Sequence, residues 1–249
     1  MNDNTDPMVI PSSEELEKVQ SSGEDLSGKV IINYCLTRVL HAAVRQQSLH
    51  VVVGNRTIAN RLPYGKISQY ERARAGEIEV VVYSGPNLEV EIYRAVMSFK
   101  AGTSITLAVI STRFGVEIGV IDDYECPHRS RSQSCLRAVN LTYGGKVFDI
   151  LLRSGNIAFC KIQPKEVTEW IQVVPGEYEF YVIESGEEPC PPTMSETLDE
   201  VPYAPPGTYA NGETVVMFYQ RLLSNTMYTC YIIGGGTKKT PIQIVMAEN

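Results

Sequence analysis

The chain has 249 residues and a mass of 27.6 kDa, room for one large domain or for two of about 100 residues that each bury their own core. Hydrophobic residues make up 43% and charged residues 20%, with 19 glycines and 14 prolines, which excludes wholesale disorder and predicts a globular body with many turns. The formal net charge of −7 is concentrated in residues 1–29 and 187–213, so the rest of the chain is mildly basic. Its arginines are scattered rather than gathered on a stripe, which gives no nucleic-acid footprint.

In chain order, residues 1–29 come first, an acidic segment that lacks a basic start followed by an apolar run and so does not read as a secretion signal. A flexible N-terminal arm is expected there, with Ser12 to Gln20 as its only helical candidate. No stretch approaches the ~20 apolar residues of a membrane helix, so no membrane insertion is expected. From residue 30 onward the chain is a series of short apolar runs punctuated by turn residues, among them Gly54-Asn55, Ser84-Gly85-Pro86, Ala101-Gly102, Ser154-Gly155-Asn156 and Pro175-Gly176. Alternating short runs of this kind predict β-strands of a sandwich.

The runs occur twice. Cys35-Leu36 returns as Cys135-Leu136, Val39 as Val139, Ile67 as Val167 and Tyr70 as Trp170, while Gly76 to Val82 returns as Gly176 to Val182, all at an offset of 100. Ile78, Val80 and Val82 share one parity and Tyr178, Phe180 and Val182 repeat it, the signature of a half-buried strand. Leu49, Val51 and Val53 match Phe148, Ile150 and Leu152 one residue out of that register. Ile105, Leu107 and Val109 match Tyr228, Cys230 and Ile232 at an offset of 123, so the second copy carries an insertion over 187–213. The fold expected is all-β, with two tandem immunoglobulin-like sandwich domains over 30–123 and 135–249, joined by a linker over 124–134. Six prolines in the insertion resist helix and central strand alike and predict an extended surface loop.

In the first copy, Arg38-Val39-Leu40-His41-Ala42, Leu62-Pro63-Tyr64-Gly65 with Tyr70, and Ala75-Gly76 form a pattern that resembles the bacterial family called domain of unknown function 4397. The second copy keeps Trp170 and Pro175-Gly176 but replaces Pro63-Tyr64-Gly65 by Gln163-Pro164-Lys165. The resemblance implies an immunoglobulin-like sandwich in proteins of the bacterial envelope or surface, and it brings no catalytic residues.

The residues themselves offer no catalytic set, metal site or cofactor site, so no enzyme activity is expected. Of the three histidines, His41 falls on the parity of Val39 and reads as a structural, hydrogen-bonded side chain, and His50 should point to solvent. Cys126, His128 and Cys135 make too few ligands for a closed zinc site, which takes four. Cys126, Cys160 and Cys190 are expected to be the exposed thiols, able to cross-link subunits where the compartment oxidises them. Gly234-Gly235-Gly236 leads to Pro241 rather than into a helix and reads as a hairpin turn, not as a phosphate loop.

These features point to a non-catalytic structural or adhesion-type surface protein, self-associating or binding another surface protein. An extended arm of 29 residues spans about 90 Å, enough to add a strand to a neighbour's open sheet edge. The alternative is a module that binds a glycan or peptide through sandwich-end loops, with Tyr64, Tyr203 and Tyr209 as contact aromatics. A spore or cell-surface location is implied by the family resemblance alone.

Overall fold

The computed structural model describes residues 33–85, 87, 89–127, 130–187 and 214–249. The N-terminal arm and nearly all of the insertion lie outside the described residues. Among those described, every regular element is a strand.

The first copy contains β1 (Tyr34–Ala42), β2 (Ser48–Val53), β3 (Arg56–Pro63), β4 (Glu71–Arg74), β5 (Gly76–Ser84), β6 (Val90–Phe99), β7 (Ser104–Thr112) and β8 (Gly115–Asp122). They form two four-stranded sheets, β4-β1-β7-β8 and β3-β2-β5-β6. The second copy contains β9 (Ser134–Asn140), β10 (Phe148–Leu152), β11 (Ile157–Ile162), β12 (Ile171–Val173), β13 (Gly176–Glu184), β14 (Thr214–Leu222), β15 (Met227–Ile233) and β16 (Gln243–Glu248). Its sheets are β12-β9-β15-β16 and β11-β10-β13-β14, the same order strand for strand. In each copy the first strand pairs parallel with the seventh, and the other neighbours pair antiparallel.

Alternation explains the outer sheets. Along β2 every second residue, Leu49, Val51 and Val53, is buried against the opposite sheet of its own sandwich. Phe148, Ile150, Phe180 and Val182 do the same in copy two. The hairpin between β2 and β3 turns at Gly54, whose φ of 60° is the left-handed region that glycine enters at no steric cost. Copy one also uses Gly65 at φ 74°, and the equivalent turn of copy two places Lys165 at φ 66°.

The inner sheets, β4-β1-β7-β8 and β12-β9-β15-β16, do not alternate. Every residue of β1 from Arg38 to Ala42 is buried, as are all seven of β9 and all seven of β15. Their inward faces complete the two sandwich cores. Their outward faces meet each other in a third core, where Leu40, Ala42, Ala108, Ile110 and Ile121 of copy one pack with Val139, Leu141, Tyr231, Ile233 and Ala247 of copy two. A strand buried on both faces has no polar side to show, so it reads as a continuous apolar run.

Pairing also corrects the repeat register. Leu40 bridges Ile67 while Val139 bridges Val167, and Leu36 pairs with Arg72 while Cys135 pairs with Gln172. The first strand therefore repeats at an offset of 99, not 100. Cys135 is the counterpart of Leu36 rather than of Cys35, Asn140 is the counterpart of His41, and Arg137 is the counterpart of Arg38. The apolar match at 100 misled because a strand buried on both faces scores equally well when slipped by one residue.

Candidate functional site

The densest cluster of buried polar groups lies where the two sandwiches dock. Arg38 and Arg137 occupy equivalent positions on β1 and β9, and both are buried. Arg38 donates through Nε to Thr106 Oγ1 of the adjacent strand β7 at 2.8 Å, and Arg137 donates to Thr229 Oγ1 of β15 at 3.0 Å. Each guanidinium then crosses to the other copy. Arg38 Nη1 donates to the carbonyl of Glu248 at 2.8 Å and Nη2 donates to Asn249 Oδ1. Arg137 Nη1 donates to the carbonyl of Asp122 at 2.8 Å and Nη2 to Asp123 Oδ1 at 2.9 Å.

The contact is reciprocal. Asp122 pairs with Ile105 and Glu248 with Tyr228, so the two carbonyls occupy equivalent places at the ends of β8 and β16. One residue further on, Asp123 and Asn249 are equivalent in turn. Residue i of copy one meets residue j of copy two and the reverse, the property of a two-fold, isologous interface built here within one chain. An aromatic ring flanks each arginine: the Arg38 guanidinium carbon lies 4.4 Å from the Tyr70 ring centre, and that of Arg137 lies 4.5 Å from Trp170. Stacking of this kind stabilises a guanidinium withdrawn from water.

The symmetry breaks at the anion. Asp123, with its side chain 1% exposed, accepts from the Tyr70 hydroxyl at 2.7 Å and from Thr106 at 2.6 Å, and it lies 3.6 Å from Arg38 as well as 2.9 Å from Arg137. One carboxylate thus serves two buried arginines. Asn249 supplies an uncharged amide in the other half and donates to Thr229 at 2.8 Å. Burial and the neighbouring Asp123 charge hold the Tyr70 phenol well above its ordinary value, and burial does the same for Tyr231 beside it. Both hydroxyls stay protonated, and Tyr70 donates to Asp123 and Tyr231 to Thr106.

Tyr64 extends the same face, and His41 sits behind it on the opposite side of β1, with Val39 and Ala43. His41 is fully buried and meets Tyr64 edge-on, ring centres 5.5 Å apart, while Tyr64 packs on the core between the sandwiches. His41 Nδ1 accepts from the Ala43 amide at 3.3 Å, and Nε2 has no partner. Desolvation lowers the His41 pKa to about 4, so the ring is neutral at ordinary pH. Asn140, in the equivalent place, donates to the carbonyls of Lys146 and Ile162 instead.

The expected site residues fare unevenly. Cys126 is not an exposed thiol: it is 6% exposed and forms a disulfide with Cys135, next to Trp170 and Met227. The pairing was hidden by the register slip, which set Cys135 beside Cys35 in a separate domain. Cys160 is likewise disulfide-bonded and is not a free cross-linking thiol. Among the described residues the free thiols are Cys35 and Cys230, both buried, with burial pushing the Cys230 thiol up to about 12. Tyr64 is not a loop-tip contact residue, because its ring is turned into the interface. Cys190, Tyr203, Tyr209 and His128 lie outside the described residues. His50 points outward and meets Asn60 at 3.2 Å. No group of three or more potential metal ligands occurs among the described residues.

Sequence reasoning missed Arg38, Arg137 and Asp123 as a unit. The available signal was an arginine recurring 99 residues apart on strands too apolar to tolerate an unpaired charge.

No curated protein matches the chain. Residues 36–151, from β1 through the linker to β10, match the family model described as Domain of unknown function (DUF4397). Of the motif residues of the first copy, Arg38, Tyr64 and Tyr70 stand at the docking face and His41 lies behind Tyr64, and the matched segment, under half of the chain, is a stretch of the DUF4397 family.

Proposed function

We propose that the protein is a non-catalytic structural or adhesion-type surface protein whose two sandwiches work as one fused brick. The observation that carries this reading is the use made of the motif residues. Arg38, Tyr64 and Tyr70 are engaged in holding one copy against the other, where an enzyme or a receptor would turn such residues toward a ligand. Fixed relative orientation is what a repeating assembly needs, since each added unit then continues in a defined direction.

Two further features support the reading. Cys126 and Cys160 are both in disulfides, which persist in oxidising surroundings such as a cell or spore surface. The outer sheets end at β6 and β14, long strands without a further neighbour among the described residues, and exposed apolar side chains stand on both, Val96 at 64% and Met217 at 46%. Such edges accept a strand from another chain unless charge or bulges protect them. Residues 1–29 of a neighbouring copy are the proposed donor, and assembly through them needs no free cysteine.

Light scattering of the native chain over a range of concentrations tests this. The expected mass exceeds the 27.6 kDa of one chain and falls when residues 1–29 are deleted or when Val96→Lys and Met217→Lys charge the edges. A monomer at every concentration contradicts the proposal.

A further inference from the structure

The second sandwich carries a groove of about 640 Å³ at one end of its outer sheet, formed by the β10–β11 hairpin and the ends of β13 and β14. That volume lies in the range of small-molecule sites. Two aromatic rings line it, Tyr178 and Tyr219, and Tyr219, in the last half of β14, is 68% exposed. A tyrosine ring held open on a strand offers a flat apolar surface with a polar tip, an arrangement that suits a ligand with one apolar face and many hydroxyls.

The polar lining narrows the ligand class. Glu177 and Glu179 on β13 face Arg221 and Tyr219 on β14, and Arg153 reaches Glu179 at 3.4 Å. Two carboxylates and two guanidiniums balance, so the groove favours neither an anion nor a cation. Glu179 is also held by the Tyr181 hydroxyl, which fixes its position before a ligand arrives. Carboxylates and guanidiniums both make paired hydrogen bonds, and adjacent hydroxyls on a pyranose ring match that spacing. The apolar C–H face of the same ring suits Tyr219.

The internal repeat supplies an independent observation. Pairing of Glu79 with Val96 and of Glu179 with Tyr219 makes Val96 the counterpart of Tyr219, and in the same way Ser98 is the counterpart of Arg221 and Ile78 of Tyr178. Gly54 and Arg153 both donate their amides to the carbonyls of these paired glutamates, so glycine stands in copy one where Arg153 stands in copy two. The copies keep the docking arginines and the paired glutamates in common, and copy one holds Glu79 with Arg94 at 2.6 Å, yet copy two adds two tyrosines and two arginines where copy one has Val96, Ile78, Ser98 and Gly54. Scaffold requirements do not explain that difference, because the same strands fold in copy one without it.

We propose that this groove binds a neutral oligosaccharide, with a pyranose ring stacked on Tyr219 and its hydroxyls held by Glu177 and Arg221. The site is separate from the docking face and does not depend on self-association, so its failure and the failure of the assembly reading are distinguishable. Calorimetric titration of the full chain with soluble hexasaccharides of glucose (α-1,4 and β-1,4), mannose and N-acetylglucosamine, and with hexagalacturonate as a charged control, tests it. Binding of at least one neutral sugar is expected, weakened about tenfold or more by Tyr219→Ala, a change of about 1.4 kcal/mol. Val96→Ala, at the matching place in copy one, should leave the affinity unchanged. Tyr219 is exposed, so its truncation leaves the fold intact, which an unchanged melting temperature verifies. No binding of any neutral sugar at millimolar concentration, equal affinity of the wild type and Tyr219→Ala, binding of the galacturonate alone, or binding of extended peptides in place of sugars would each overturn the proposal.

Discussion

Removing the carboxylate of Asp123 probes the docking face most severely. Asp123→Ala leaves Arg38 and Arg137 facing each other across a dry interface with no anion, and it strips the Tyr70 and Thr106 hydroxyls of their shared acceptor. Breaking a buried ion pair by deleting one partner costs about 3–5 kcal/mol. Each orphaned hydroxyl alone is worth about 1–3 kcal/mol, but these costs largely overlap with the ion-pair cost because the groups share one site. A loss of about 4 kcal/mol is therefore expected, equivalent to a fall in Tm of about 8–16 °C for a chain of this size. Asp123→Asn should cost about half as much, since it retains one acceptor oxygen and makes the site resemble Asn249 in the other half. Urea unfolding followed by tryptophan fluorescence is the assay. The chain has a single tryptophan, and Trp170 lies on the Arg137 guanidinium, so it reports on the interface itself. A loss under about 1 kcal/mol for Asp123→Ala would refute the reasoning, because it would mean that water already reaches the arginines.

Two further outcomes follow from buried groups. His41 is neutral in the folded protein with a pKa near 4, against 6.5 in the unfolded chain, so the unfolded state binds the extra proton between those values. The stabilisation from keeping His41 uncharged is fully present above pH 6.5 and is lost as the pH falls toward 4. A shift of that size corresponds to about 3 kcal/mol, and His41→Asn, the residue copy two uses in this place, should flatten the urea midpoint between pH 7 and pH 5; an unchanged pH slope contradicts the assignment. Replacing Cys126 and Cys135 together by serine opens the short loop of the linker that their disulfide closes, and urea unfolding without reductant should show a loss of about 2–3 kcal/mol relative to the native chain. A cysteine-dependent dimer band traceable to Cys126 contradicts the pairing.

How much of this was legible in the sequence depends on which face of each strand meets water. The outer strands were readable because one side is wet: β5 and β13 alternate, and their shared parity placed Val80, Val82, Phe180 and Val182 in the two cores correctly. The inner strands were readable as strands but not in register, because β1, β9 and β15 are covered on both faces and apolar matching carries no parity there. That single ambiguity hid the disulfide, the equivalence of Arg38 with Arg137, and the third core. Tyr64 was misread for a related reason. A Pro-Tyr-Gly turn ordinarily sits at a surface, and only the presence of the other sandwich turns its ring inward. The groove at Tyr219 was invisible for a different cause. Its parts come from β10, β13 and β14, and β14 follows the insertion, so no local pattern brings them together.

The docking of the two sandwiches into one unit is the claim on which the rest depends, and a distance measured across it tests that claim most directly. Spin labels at the exposed hairpin residues Asn55 of copy one and Ser154 of copy two, read by pulsed electron resonance, report the separation of the sandwiches in solution. One narrow distance is expected in the native chain, spreading out when Asp123→Ala removes the shared anion. A broad distribution in the native chain would contradict the account, because it would mean that the two copies move independently and that Arg38 and Arg137 do not hold them together.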